Sequence, residues 1–300
     1  MNIFALIRVE PRPRRFLRSA LAASLLAGMA FAQGITNAYK EPPHESGQGI
    51  TAAYEGWYPN PDGSNTILIG YYNRNAKQVL DIPVGPSNRV DPGGPDHGQP
   101  THFLTGRQWG VFSITVPKDF GTEKKYTWTI VANGKTTTVP FGLNPLYVIA
   151  PFKDASSNTP PFIAFQEAGP FLQGPPRAVA NTLTASLADA VPLAVWVADD
   201  ANIPPSFAAF AKMLPTVTLT WIKFRGPGEV KFANAKPKVD KAEFKTPAGA
   251  TYTGKGATTA TFTEPGEYLL EVTANDLSGN GGGGFQCCWT TVQVKVTVKP

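Results

Sequence analysis

The 300-residue sequence predicts an all-β protein, two β-sandwich domains in tandem, on three observations. Apolar and polar residues alternate with a period of two in segment after segment, the mark of half-buried strands. Glycine and proline, 29 of each, are spread along the chain without a repeat, which suits many short strands joined by turns. Asn133-Gly134 between two such segments is a strong two-residue hairpin signal.

The chain opens with an export signal. Arg8, Arg12, Arg14, Arg15 and Arg18 form a basic start, and Ser19 to Met29 is an apolar run too short to anchor in a bilayer. Ala30-Phe31-Ala32 has the small-x-small form of a cleavage site, so residues 1–32 read as a signal peptide and the mature chain starts at Gln33. The basicity leaves with it. Of 27 Lys plus Arg and 22 Asp plus Glu, five arginines and one glutamate lie in residues 1–32, which leaves the mature chain near neutral. Nucleic acid is excluded as a partner on that ground. No later segment is apolar enough to span a membrane as a helix, so the expected location is periplasmic or extracellular.

Residues 33–49 are polar and read as a flexible arm. Residues 50–145 form the first sandwich: Ile67, Ile69 and Tyr71 share one face of a strand, Phe112, Ile114 and Val116 another, and Tyr126, Trp128, Ile130 and Ala132 a third. Residues 146–180 are a linker in which Pro151, Pro160, Pro161, Pro170, Pro175 and Pro176 oppose any regular element. Its aromatics, among them Phe152, Phe162, Phe165 and Phe171, predict that it packs against the domains.

Residues 181–300 form the second sandwich. Leu193, Val195 and Val197 mark one strand, and Val217, Leu219 and Trp221 the next. Between them Phe207, Phe210, Ala211 and Leu214 stand at helical spacing, a short inserted helix. Tyr268, Leu270, Val272 and Ala274, then Val292, Val294, Val296 and Val298, define the inner faces of the last two strands, with Thr291, Gln293, Lys295 and Thr297 facing water.

Trp221 followed by Gly226-Pro227-Gly228, and Phe262, Pro265-Gly266, Tyr268 and Asp276 in the later segment, resemble the polycystic-kidney-disease-type (PKD-like) immunoglobulin-fold domains. The resemblance covers about the last 120 residues and implies an immunoglobulin-like sandwich. Such domains are mostly extracellular spacers and binding modules. The first domain is similar to uncharacterised secreted bacterial proteins.

In an immunoglobulin-type sandwich the loops after the second, fourth and sixth strands share one end. That places Asp199, Asp200, Asn275, Asp276, Cys287, Cys288 and Trp289 at one apex, the expected contact surface for an extracytoplasmic protein or glycan. Cys287 and Cys288 cannot bridge the sheets, because adjacent residues do not reach across a core of about 10 Å. They close on each other as a vicinal ring, stay as thiols, or bridge two molecules. No cofactor motif is present. Asp199, Asp200 and Asp276 offer hard oxygens that suit Ca²⁺, although Asp and Asn also cap turns and strand ends.

Two alternatives stand beside this reading. Trp57, Tyr58, Tyr72 and Trp109 are candidates for an aromatic sugar platform, against the usual role of large aromatics in a core. A hydrolase with carboxylates in the interdomain cleft is the other, although no nucleophile elbow, zinc-protease motif or phosphate loop is present. His97 and His102, near Asp91 and Asp96, fit a hydrogen-bonded loop better than a metal site.

Overall fold

The inner-face residues of both halves are sealed into two cores, and the strands that carry them follow the alternation in the sequence. The computed structural model describes residues 44–155, 157–203, 209, 214–276 and 287–300. The residues read as a signal peptide lie outside the described residues, as do the glycine run near the C-terminus and most of the segment expected to form an inserted helix.

The first half contains β1 (Ile50–Pro59), β2 (Asn65–Asn73), β3 (Leu80–Asp81), β4 (Asn88–Asp91), β5 (His102–Phe103), β6 (Gly106–Val116), β7 (Lys125–Ala132) and β8 (Lys135–Gly142). Sheet β1-β2-β6 faces sheet β4-β7-β8, and β3 pairs with β5. Ile67, Ile69, Tyr71, Phe112 and Ile114 meet Val90, Trp128, Ile130 and Phe141 in the core between them. The buried Trp128 indole donates to Asn88 Oδ1 at 2.9 Å, so its polar edge is satisfied. Asn133 and Gly134 both have positive φ, the two-residue turn that matches strand twist in the β7–β8 hairpin.

The second half contains β9 (Phe162–Ala164), β10 (Val179–Ser186), β11 (Val191–Asp199), β12 (Thr218–Arg225), β13 (Val230–Phe232), β14 (Val239–Lys241), β15 (Tyr252–Phe262), β16 (Gly266–Asn275) and β17 (Trp289–Lys299). One sheet runs β9-β11-β15-β13, with β14 also on β15; the other runs β12-β16-β17-β10. Lettered from β9 as strand A, these are the A-B-E-D and C-F-G sheets of an immunoglobulin-type sandwich. Leu193, Val195 and Val197 pack against Leu219, Trp221, Leu270, Val272, Val294 and Val296 between the sheets.

The motif residues of the family resemblance converge on one corner. Tyr268, near the start of β16, donates to Glu264 O at 2.8 Å and accepts from Gly228 N at 3.0 Å. This is the tyrosine corner of immunoglobulin-type sandwiches. Gly226 has φ +151°, and a Cβ there would fall 2.1 Å from the Tyr268 ring. The Gly-Pro-Gly turn and the Pro-Gly-x-Tyr turn are therefore two sides of one contact.

Two expectations need correction. Residues 44–49, assigned to a flexible arm, are tied down: Ala76 N donates to His44 O at 2.8 Å, Arg74 N to Gly49 O at 3.2 Å and Gln48 N to Asn75 Oδ1 at 2.7 Å. The proline-rich linker holds regular structure after all, a 3-10 turn at Pro145–Tyr147 and the edge strand β9. An edge strand needs few ladder bonds, so three residues between proline clusters suffice.

Both sandwiches belong to one compact unit, His44–Pro300. Phe224 of β12 enters the first core. Thr101 N donates to Phe224 O at 3.2 Å. Arg225 clamps Asp96 with two bonds, 2.9 and 2.8 Å, and donates to Gln99 O at 2.8 Å. Buried Lys223 meets Asp81 at 3.0 Å, and the same Asp81 oxygen takes His102 Nδ1 at 2.9 Å. Burial raises the Asp81 carboxyl, but His102 and Lys223 outweigh it and hold it below its usual range.

Candidate functional site

The ends of β11, β16 and β17 come together, and a linker residue that the sequence reading missed holds them. Asn158 is buried. Its Nδ2 donates to Asp276 Oδ2 at 2.5 Å, across 118 positions of sequence. Its carbonyl oxygen lies 3.4 Å from Cys288 Sγ. The next residue, Thr159, donates its N–H and its hydroxyl to Asp200 Oδ2 at 3.0 and 2.8 Å. Thr251 N donates to Asp199 O at 2.8 Å.

Cys287 and Cys288 are joined to each other by a disulfide. The ring is buried, as are Trp289, Asp199 and Asp276. Of the residues expected at the apex, the described side chains of Asp199, Asp276, Cys287, Cys288 and Trp289 face inward. The physical reason is the linker: it caps the sandwich end with Asn158 and Thr159, and the first sandwich covers Trp289. A Cβ on Gly110 of β6 would come 3.0 Å from the Trp289 ring, so the indole seats directly on that glycine. Asp200 stays half-buried.

Asp199 sits in this end with its carboxyl pushed up to about 7, chiefly by burial and further by the nearby Asp276 and Asp200. Its Oδ2 accepts from Ala201 N at 2.9 Å, while among the described residues its buried Oδ1 has no partner, nor does Asn158 Oδ1. Among the described residues no group of three or more His, Cys, Asp or Glu side chains is arranged to hold a metal ion.

The four candidate sugar-platform aromatics are dispersed. Tyr58 is buried, with an edge-on contact to Phe152. Trp57 is half-buried and donates its indole N–H to Asn144 O at 2.8 Å. Tyr72 is exposed. Trp109 carries the Arg107 guanidinium 3.9 Å above its ring centroid. Arg107 in turn pairs with buried Glu55 at 2.6 Å. The histidine loop is, as its composition suggested, internally bonded: His97 Nε2 meets Pro92 O at 3.0 Å and Asp96 accepts from Gly98 N at 2.9 Å.

A second feature escaped the sequence reading. The outer face of β12-β16-β17 lies against β6 and the loop before β5, and a cavity of about 330 Å³ separates them. Glu271 of β16 lines it and is 4 % exposed. Its hydrogen-bond partner is Gln293 Nε2 at 3.3 Å. Burial pushes the carboxyl up to about 8, and the Gln293 bond only partly offsets it. Gln108, Trp109, Thr220, Thr273 and Trp289 share the lining. Thr291, expected to face water, is buried on the same outer face.

No protein-family model matches the chain, and no curated protein matches it. Solved structures of β-domain proteins do. The titin A168–A169 fragment is 11% identical over 84% of this chain and 95% of its own length, with a TM-score of 0.23. The D00-D0 domain of intimin is 9% identical over 84% of this chain and 100% of its own, with a TM-score of 0.24. Zebrafish RET cadherin-like domains 1 to 4 are 14% identical over 74% of this chain and 41% of their own length, TM-score 0.24. Similarity of that size carries no argument. The immunoglobulin-like assignment rests on the strand order and the tyrosine corner.

Proposed function

We propose that this is an exported, non-catalytic binding or structural protein that works outside the cytoplasm, with the strand ends around Asn158 as its rigid recognition end. The observation that carries the reading is the Asn158 lock. One buried amide joins Asp276 and the neighbourhood of the cysteine ring, and Thr159 fixes Asp200. A frame of this kind holds the strand ends of an immunoglobulin-type sandwich in fixed relation, and a rigid end of that kind suits recognition of a partner. The apolar run and cleavage pattern of residues 1–32 support export, and a closed disulfide suits an oxidising compartment. No helix among the described residues is long and apolar enough to cross a membrane.

A hydrolytic reading has less support. Glycoside hydrolysis by paired carboxylates needs two of them within about 5–9.5 Å, and among the described residues Glu271 is the one carboxylate on the cavity lining.

The test has two arms. Cells expressing the full chain are fractionated and the product is weighed without reductant. The expected product starts at Gln33, outside the cytoplasm, with the cysteine pair closed. An unprocessed cytoplasmic product would refute export. The purified protein is then bound to immobilised envelope glycans and proteins. Binding is expected to fall for Asn158→Ala and to survive Tyr72→Ala; the opposite pattern would move recognition away from this end.

A further inference from the structure

The cavity between the sandwiches is polar, closed on most sides and only partly used by the protein's own hydrogen bonds. Glu271 is buried there with one partner. Among the described residues the Thr220 hydroxyl and the indole N–H groups of Trp109 and Trp289 make no hydrogen bond, and Lys236 makes no ion pair. Thr218 and Lys236 are exposed and also stand on the lining, so solvent reaches the cavity on that side. These groups come from strands far apart in sequence, and the bonds of Lys223 and Arg225 to the first half fix their spacing.

We infer that this cavity is a binding site for one neutral, polyhydroxylated ring, a monosaccharide or a cyclic polyol. Three features select that class. The volume, about 330 Å³, is at the lower end of the roughly 300–1,000 Å³ of small-molecule sites, which limits the occupant to about a single ring. The unused groups are mixed: the Glu271 carboxyl and the Thr220 hydroxyl donate and accept, and the indoles and Lys236 donate. Sugar hydroxyls donate and accept in the same way. Trp109 and Trp289 also stand on the lining and add apolar surface beside these polar groups.

Charge argues against other small ligands. An anion would lose its water against a lining whose lysine, Lys236, is exposed to solvent rather than buried beside it. A cation would share the cavity with Lys236 and lie near the guanidinium stacked on Trp109. The proposal does not rest on the recognition end: Asn158, Asp200 and the cysteine ring are absent from this lining. A failure here leaves the Asn158 reading untouched, and the reverse holds.

The experiment is saturation-transfer NMR with parallel tryptophan fluorescence on the oxidised mature protein. The probes are neutral monosaccharides and cyclic polyols, with glucuronate and glucosamine as charged controls. At least one neutral ring is expected to bind at millimolar concentration or better, and both charged controls to bind more weakly. Glu271→Leu removes donor and acceptor and is expected to weaken binding about tenfold or more. Glu271→Gln keeps a donor and an acceptor of the same length and is expected to stay within about threefold. Thr220→Val, nearly isosteric, is expected to lose about threefold or more, and it supplies the readout where Glu271→Leu does not fold. The inference is overturned if no neutral ring binds, if Glu271→Leu or Thr220→Val binds like the parent, or if glucosamine binds best and Glu271→Gln abolishes it.

Discussion

The two faces of β16 are made of alternate residues of one strand, yet they do different work. The inner face, Tyr268, Leu270, Val272 and Ala274, is sealed against the opposite sheet. The outer face carries Leu269, Glu271, Thr273 and Asn275, a set that an isolated sandwich would show to water. Here the first sandwich lies over it, Leu269 packs on the first core, and Glu271 is buried. A polar face is therefore no proof of exposure. It is covered by a second body that leaves a polar cavity rather than a dry core.

Four measurements break or sharpen this contrast, and the inner face gives the largest effect. Trp221→Ala empties the centre of the second core and should cost about 3–5 kcal/mol in denaturant unfolding. Loss of much less would mean that the inner face is not the main store of stability. Next comes the joint that covers the outer face. Asp81→Ala leaves buried Lys223 with only the Gly228 carbonyl at 3.1 Å, for an expected loss of about 1.5–3 kcal/mol. Hydrogen exchange should rise in β12 and in the loop before β5 while the strands of the second core stay protected; exchange rising evenly everywhere would contradict a local joint.

The third measurement is pH dependence. Glu271 is raised from 4.5 to about 8 in the folded protein. Between those values the folded chain keeps a proton that the unfolded chain has released. The stabilisation is fully present below the lower value and is lost as pH rises through the upper one. The slope from this group is up to about 1.4 kcal/mol per pH unit. Glu271→Gln should flatten the decline between mildly acid and mildly alkaline pH, with a higher melting temperature than the parent at the alkaline end. An unchanged slope would place Glu271 in water.

The smallest effect belongs to the cysteines. Their bond joins adjacent residues and closes no loop of chain, so it restrains the unfolded state very little. Reduction, or replacement of both by serine, is expected to cost about 1 kcal/mol or less. A cost of several kcal/mol would show that the buried ring carries packing that serine cannot replace.

The sequence made most of the strands legible, because a period of two records which side of a strand meets its partner sheet. Val292 to Val298 and Leu193 to Val197 fall on the inner faces as their spacing requires. What covers the other side was not legible. Thr291 looks the same beside water as beside a second domain. Asn158 was hidden for another reason: its partners are well over a hundred residues away, and nothing local in a proline-rich stretch marks it. Grouping strand ends by topology also does not say whether a linker will cap them, as Asn158 and Thr159 do here.

The parallel pairing of β10 with β17 carries a consequence for how the molecule is made. β17 sits inside its sheet, between β10 and β16, although it is encoded last among the strands. Until the ribosome delivers it, β10 has no ladder partner in that sheet and β16 shows a bare edge. A chain stopped just before Trp289 would lack the middle of the sheet, not its fringe. It would present two unpaired strands to its neighbours, a template for aggregation during synthesis.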